Sequence, residues 1–209
     1  MQEEVDTFMF EGHDTTASAT SWALYLIGSH PEVQQRLQAE IDEVVGTSDD
    51  NDDGLVPSID QLKRMPLLEA SLKEAMRLFP PVPFIGRAVE KNLIIGGHKV
   101  PRGVDVIVSP LLAHRNPSLW GQDANKFRPD RFMDKTNMRE AFAHIPFSAG
   151  PRNCVGQNFA LLEEKVVLAS LLRRYTLSTV QHQKIEMEVK VVLRPRGGKL
   201  LMTVQRRRN

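Results

Sequence analysis

Cys154 is the only cysteine of the chain. It lies in Phe147-Ser148-Ala149-Gly150-Pro151-Arg152-Asn153-Cys154-Val155-Gly156, between two glycines and just ahead of a helical pattern. A thiol at a helix N-terminus meets a positive field that lowers its pKa and favours the thiolate. A thiolate so placed serves as a metal ligand or a nucleophile. An isolated cysteine more commonly acts as a small buried hydrophobe. Gly150 and Gly156 remove side-chain bulk on either side, so the backbone can turn sharply and approach a flat ligand. Arg152 adds a cation two residues before the sulfur, suited to a carboxylate on that ligand.

Other residues could also do chemistry. Glu74 and Arg77 stand three apart, on one face of a helix, where an exposed pair is worth a few tenths of a kcal/mol. Glu11-Gly12-His13-Asp14-Thr15-Thr16 lies inside a helical stretch. Glycine weakens a helix there, and Thr15 can bond a carbonyl one turn back, so a local opening of the ladder is expected. Glu11 is satisfied by water, by His13 or by a ligand. Asp49, Asn51, Asp53, Gly54, Val56 and Asp60 approximate a calcium loop. Asp60 is a short twelfth-position ligand, Pro57 interrupts the loop, and no second copy exists, so a coincidental acidic turn is the expectation.

The elements that must hold these residues follow from periodicity. Residues 2–28 read as one helix without proline, followed by a helix from Pro31 with Val33, Leu37, Ile41 and Val44 on one face. Leu68, Leu72, Met76 and Phe79 mark a third helix, stopped by Pro80-Pro81. Leu93–Ile95 and Val104–Val108 read as short strands around Gly96-Gly97. Residues 115–150 are irregular. Val155, Phe159, Leu162, Val166 and Ala169 then follow helix spacing to about Arg174, and Val189–Leu193 and Leu200–Val204 look like strands. The class is mainly α with a small β portion.

Composition bounds the rest. The chain has 209 residues, 41% hydrophobic and 25% charged, with net charge +1, which gives no nucleic-acid footprint. Arg206-Arg207-Arg208 reads as a solvated basic tail. A single cysteine excludes an internal disulfide framework. No apolar run approaches the roughly 18 residues of a membrane span. Glu3, Glu4 and Asp6 are unlike a secretory leader.

The Phe147–Gly156 segment resembles the haem-binding loop of the cytochromes P450, Phe-x-x-Gly-x-Arg-x-Cys-x-Gly, at Phe147, Gly150, Arg152, Cys154 and Gly156. Glu74, Arg77 and Arg131 (in Phe127-Arg128-Pro129-Asp130-Arg131-Phe132) resemble the family's Glu-x-x-Arg pair and its Pro-x-Arg-Phe arginine. That triad implies a structural lock beneath the haem loop. Glu11–Thr16 resembles the oxygen-binding groove of the I helix, which implies that Thr15 donates to bound oxygen and Asp14 relays protons. Phe8–Thr16 is similar to the fourth family, the fatty-acid hydroxylase branch, where the glutamate often forms an ester to the haem. Arg87 and Arg152 then reach haem propionates, and His114 lies near the haem edge or in a solvated loop.

The resemblance covers the whole chain: I helix at 1–28, K helix at 66–79, meander at 115–150, haem loop at 147–156 and L helix at 155–174. It implies the C-terminal half of a cytochrome P450 fold, with haem iron held by Cys154 and the haem attached through Glu11. The implied reaction is hydroxylation of a fatty acid or related lipid at or near its terminal carbon, with O2 and electrons from NADPH–cytochrome P450 reductase. The implied place is the cytoplasmic face of the endoplasmic reticulum membrane, through an N-terminal anchor that this chain lacks. A truncated, non-catalytic haem-binding or inert fragment is the alternative, and a calcium-binding helix pair at 49–60 a remote one. Trp22, Leu24, Tyr25, Leu26 and Ile27 are expected to form an uncovered apolar patch, since the family covers this helix with parts absent here.

Overall fold

The computed structural model describes residues 2–47, 56–134, 142–180, 183 and 185–207. Its first element, α1 (Gln2–Ser29), is the spine. Residues 2–13 of α1 are exposed; from Thr16 onward one side of the helix is buried, with Ala17 and Ser21 on the exposed side. Pro31 opens α2 (Pro31–Val45), and a capping box of Ser58 and Gln61 nucleates the short α3 (Ile59–Lys63). The helix α4 (Pro66–Leu78) is amphipathic at its start and buried over most of its length, including both charged residues Glu74 and Arg77.

Four two-stranded antiparallel sheets follow. The first pairs β1 (Ile85–Ala88) with β4 (Asp105–Val108), around the inner hairpin of β2 (Leu93–Ile95) and β3 (His98–Val100). Short helices α5 (Pro110–Ala113), α6 (Pro117–Trp120) and α7 (Asp130–Met133) punctuate the otherwise irregular 110–134 region. The long α8 (Gln157–Arg174) runs directly into β5 (Tyr175–Thr179). That strand pairs with the last one, β8 (Met202–Arg206), while β6 (Met187–Val189) and β7 (Leu193–Pro195) form a separate hairpin. Residues 189–193 are thus the tip of a hairpin and not one strand.

The core lies between α1, α2, α4, α8 and β5, with Ile27, Leu37, Ile41, Leu68, Leu72, Leu168 and Leu172 at its centre. Gly28 lets α1 cross close to the β5–β8 pair, where a larger residue would push aside the flexible end of Met202. A Cβ there would stand 2.5 Å from Met202 Cε and 3.4 Å from Leu177 Cβ. Trp22 is fully buried, stacked on Phe79 with ring centroids 4.0 Å apart. The expected apolar patch around Trp22–Ile27 is therefore absent. Helix α4 and the C-terminal strands cover it, and the exposed apolar side chains of α1 are Val5, Phe8, Met9 and Phe10 instead.

The basic tail also differs from expectation. Arg207 is half-buried, chelating Asp42 at 3.0 and 2.5 Å and donating to the carbonyls of Leu172 and Arg173. It closes the C-terminal strand onto α2. Among the described residues, no helix is long and apolar enough to cross a membrane.

Candidate functional site

The loop that ends in Cys154 is shaped by one backbone bond and one glycine. Cys154 N–H donates to Phe147 O at 2.9 Å, closing the loop. Gly150 has φ +76°, a left-handed conformation that excludes most side chains, and an added Cβ there would face open space. Ser148 also has positive φ, 63°, and its hydroxyl accepts from Arg87 Nη2 at 2.9 Å. Gly156 is different: its φ is −84°, open to any residue, and a Cβ there would sit 3.9 Å from the Cys154 sulfur. The glycine keeps the sulfur's surroundings thin without being required by the turn.

Cys154 is exposed, with Gly156 capping α8 and the helix starting at Gln157. Val155 and Phe159 are not core residues, despite their helical spacing: they are 81% and 74% exposed. With half-buried Phe147 they give the loop and first turn of α8 an open apolar surface beside the thiol. Arg87 and Arg152 are both exposed, and Arg87 is tied to the loop through Ser148.

Beneath the loop lies a dense buried ion network. Glu74 and Arg77 are both wholly inaccessible and meet bidentately, Nε to Oε2 at 2.7 Å and Nη2 to Oε1 at 2.8 Å. Arg131 Nε reaches Glu74 Oε1 at 3.1 Å, so the three residues singled out in the sequence are brought together. The remaining donors bind the irregular segment. Arg77 donates to the carbonyls of His114, Ala124 and Lys126, and Arg131 to those of Trp120 and Asp123. The Arg128 amide closes back on Glu74 at 2.9 Å. Asp123, unmarked by any sequence pattern, adds a second carboxylate 2.8 Å from Arg131. Arg131 in turn holds the Asp123 carboxyl below its usual range. The two buried guanidiniums of Arg77 and Arg131 thus face two carboxylates, and exposed Arg128 adds a third cation 2.8 Å from Asp123.

His114 is not in a solvated loop. It is fully buried, its Nε2 accepts from Ile145 N–H at 2.8 Å, and its ring lies 5.2 Å from that of His144. Burial, then the charge of Arg77, pull its pKa down to about 4. Burial, then His114, pull His144 down to about 3. Burial, then Glu163, push Glu164 in α8 up to about 8, with Oε2 lacking a partner.

On α1, Thr15 Oγ1 donates to Glu11 O at 2.6 Å. The helix nevertheless continues unbroken through Gly12, so the expected opening of the ladder is absent. The threonine bond adds to a carbonyl already in the ladder without displacing its amide partner. Asp14 pairs with Arg194 at 2.8 Å, and His13 Nδ1 faces Asp14 Oδ1 at 3.5 Å, leaving Glu11 exposed. Asp49–Gly54 of the calcium-like stretch lie outside the described residues. Asp60 sits in the first turn of α3 and pairs with Lys63, and the described residues hold no cluster able to bind a metal ion.

The family model "Cytochrome P450" matches residues 1–202. Human Cytochrome P450 4V2 is 42% identical over 200 residues, Cytochrome P450 4c3 of Drosophila melanogaster 44% over 201, and human Cytochrome P450 4F2 42% over 201. Each alignment covers 95% of this chain and 36–37% of the relative. The chain therefore spans little more than a third of the length of these relatives. Its exposed thiol loop, the charge lock beneath it and these similarities agree: the chain belongs to the cytochrome P450 family.

Proposed function

We propose that this chain provides the haem-thiolate core of a monooxygenase: RH + O2 + 2 electrons + 2 protons → ROH + H2O. The observation that carries the reading is the exposed Cys154 thiol, set in a strained loop and bordered by exposed apolar Val155 and Phe159. Those residues fit a haem: a soft ligand for iron, an apolar rim for a flat ring, and exposed Arg87 and Arg152 for its carboxylates. When bound, haem supplies the oxygen and redox chemistry, tuned by its thiolate ligand.

The chain's own residues then have separate tasks. Cys154 holds the iron, and Phe147, Gly150 and Gly156 shape the loop so that only the sulfur projects. Thr15 and Asp14 would hold protons for the reaction, Thr15 exchanging its bond to Glu11 O for one to substrate oxygen. Glu11, exposed one turn earlier, would be the residue to bond the haem edge and fix its orientation; converting a haem methyl C–H to an ester C–O removes one proton and two electrons, for which O2 would be the oxidant. Terminal C–H bonds are stronger than internal ones, so attack at a chain end needs such a constraint. The segment Phe8–Thr16 and the relatives numbered 4 favour a fatty acid or related lipid as substrate. NADPH–cytochrome P450 reductase is the proposed donor, at the cytoplasmic face of the endoplasmic reticulum.

One observation favours a second reading, haem binding without turnover by these 209 residues alone. Residues 2–13 of α1 are all exposed, so the face carrying Glu11 is open to water. One experiment covers both. The chain, and a chimera placing it in the matched segment of human Cytochrome P450 4V2, are loaded with haem and given reductase, NADPH and laurate. Product from the chimera, absent with Cys154→Ala, supports the monooxygenase core. Haem binding without product in either protein supports the second reading.

A further inference from the structure

Two histidines, His114 fully buried and His144 half-buried, connect the charge lock to the cysteine loop. His114 belongs to both: its carbonyl accepts from Arg77 Nη1 at 2.7 Å, and its ring Nε2 accepts from Ile145 N–H at 2.8 Å. An amide can only donate, so Nε2 carries no proton and the neutral ring holds its proton on Nδ1. Nδ1–H faces the backbone carbonyls of Met76 and Arg77 without reaching a well-aligned hydrogen bond. The ring thus presents Nε2 as an acceptor to one backbone amide. The next residue back is fastened too, since His144 Nε2 donates to Lys73 O on α4 at 3.1 Å.

The fastened segment leads into the site. Ile145 O accepts from Ser148 N–H at 3.1 Å, Ser148 Oγ accepts from Arg87, and Phe147 O accepts from the Cys154 amide. From Arg77 through His114 to Ile145, and on to the cysteine, each link is a hydrogen bond or a few residues of chain. His114 and His144 also pack edge-on against Trp120, whose ring lies under Arg77 at 4.8 Å. The pair therefore has little room to rotate.

We propose that His114 and His144 form a two-histidine clamp that fixes the Cys154 loop relative to the Glu74–Arg77–Arg131 lock. Both are positioning residues. His114 acts through the Ile145 amide and His144 through the Lys73 carbonyl. The clamp deepens the reading of Cys154 as haem ligand and rests on it only for its effect on the ligand.

The test separates the two. In the chain without haem, hydrogen exchange at the Ile145 amide reads the clamp alone. His114→Leu removes the acceptor and should speed exchange about tenfold beyond any global change, whereas His114→Gln offers an amide oxygen and should stay within about twofold of wild type. After haem loading, His114→Leu should lose part of the red-shifted Soret band of the thiolate-ligated reduced carbon-monoxide complex, and His114→Gln should retain it. A merely structural histidine would change stability without this split between Leu and Gln. Unchanged Ile145 exchange in His114→Leu, or equal failure of Gln and Leu, overturns the clamp. If His114→Leu does not fold, the wild-type imidazole nitrogen shifts decide instead: a proton on Nε2 of His114 overturns it. A wild type with no thiolate band overturns the ligand reading while leaving the exchange result to judge the clamp.

Discussion

Arg194 Nη2 lies 2.8 Å from Asp14 Oδ1, joining β7 to the middle of α1. The contact is one of three in register. Ser18 Oγ and Trp22 Nε1, each four residues further along α1, donate to Leu193 O at 2.6 and 3.2 Å. Leu193 N–H in turn donates to Pro81 O at 2.8 Å, so residues 193–194 strap α1 to the chain after α4.

The strap bears on the proposed proton relay. Arg194 is 45% exposed and its pair with Asp14 is partly solvated, so Arg194→Met should change stability by less than about 1 kcal/mol. In the chimera it should change the fraction of NADPH electrons recovered in product, in the same direction as Asp14→Asn. Thr15→Ala should lower that fraction and raise peroxide. Equal coupling in all three variants and wild type would remove Asp14 and Thr15 from the proposed role.

The lock should behave as a buried network. Glu74→Ala leaves Arg77 buried without a carboxylate and Arg131 with that of Asp123, and should destabilise the chain by about 3–5 kcal/mol. The exposed Arg36–Asp130 pair, though bidentate at 2.6 and 3.0 Å, should contribute less than about 1 kcal/mol. Urea denaturation of Glu74→Ala and Arg36→Ala compares the two directly. Similar losses would contradict the distinction drawn from burial.

Stability should fall at both ends of the pH range. His114 and His144 titrate at about 4 and about 3 when folded, against 6.5 as free groups. Below 6.5 the unfolded chain binds protons that the folded chain refuses, so stability is lost as pH drops from 6.5 through 4 and 3. Glu69, drawn down to about 2 by Lys165 and Lys73, adds to the acid loss below 4.5. Glu164 has the opposite sign. It holds its proton up to about 8 when folded, so its contribution is full below 4.5 and is lost as pH rises through 8. Glu164→Gln should flatten the alkaline limb and be the more stable protein near the alkaline end by on the order of a few kcal/mol. Thermal melts of wild type, His114→Gln and Glu164→Gln across the range check each limb.

The parts legible in the sequence were those fixed by local spacing. Glu74 and Arg77 share a helix face because they stand three apart, and proline and glycine mark where α2 and the cysteine loop begin. What the two guanidiniums hold was not legible, because their acceptors are backbone carbonyls carrying no residue signature. Val155 and Phe159 misled for a related reason: helical spacing identifies one apolar face, but not whether protein or a ligand covers it. Trp22–Ile27 erred the other way. Leu193 and Met202, which close over α1, are more than 170 residues distant in sequence, beyond any periodicity. Asp14 was found by local pattern, yet its partner Arg194 comes from the same distant hairpin.

The ligand assignment of Cys154 is tested most directly by the reduced carbon-monoxide spectrum of the haem-loaded chain beside that of Cys154→Ala. A thiolate-ligated Soret band in the wild type that is abolished in the variant is the expected result. The same spectrum from both proteins, or no thiolate band in either, would contradict Cys154 as the residue that holds the haem.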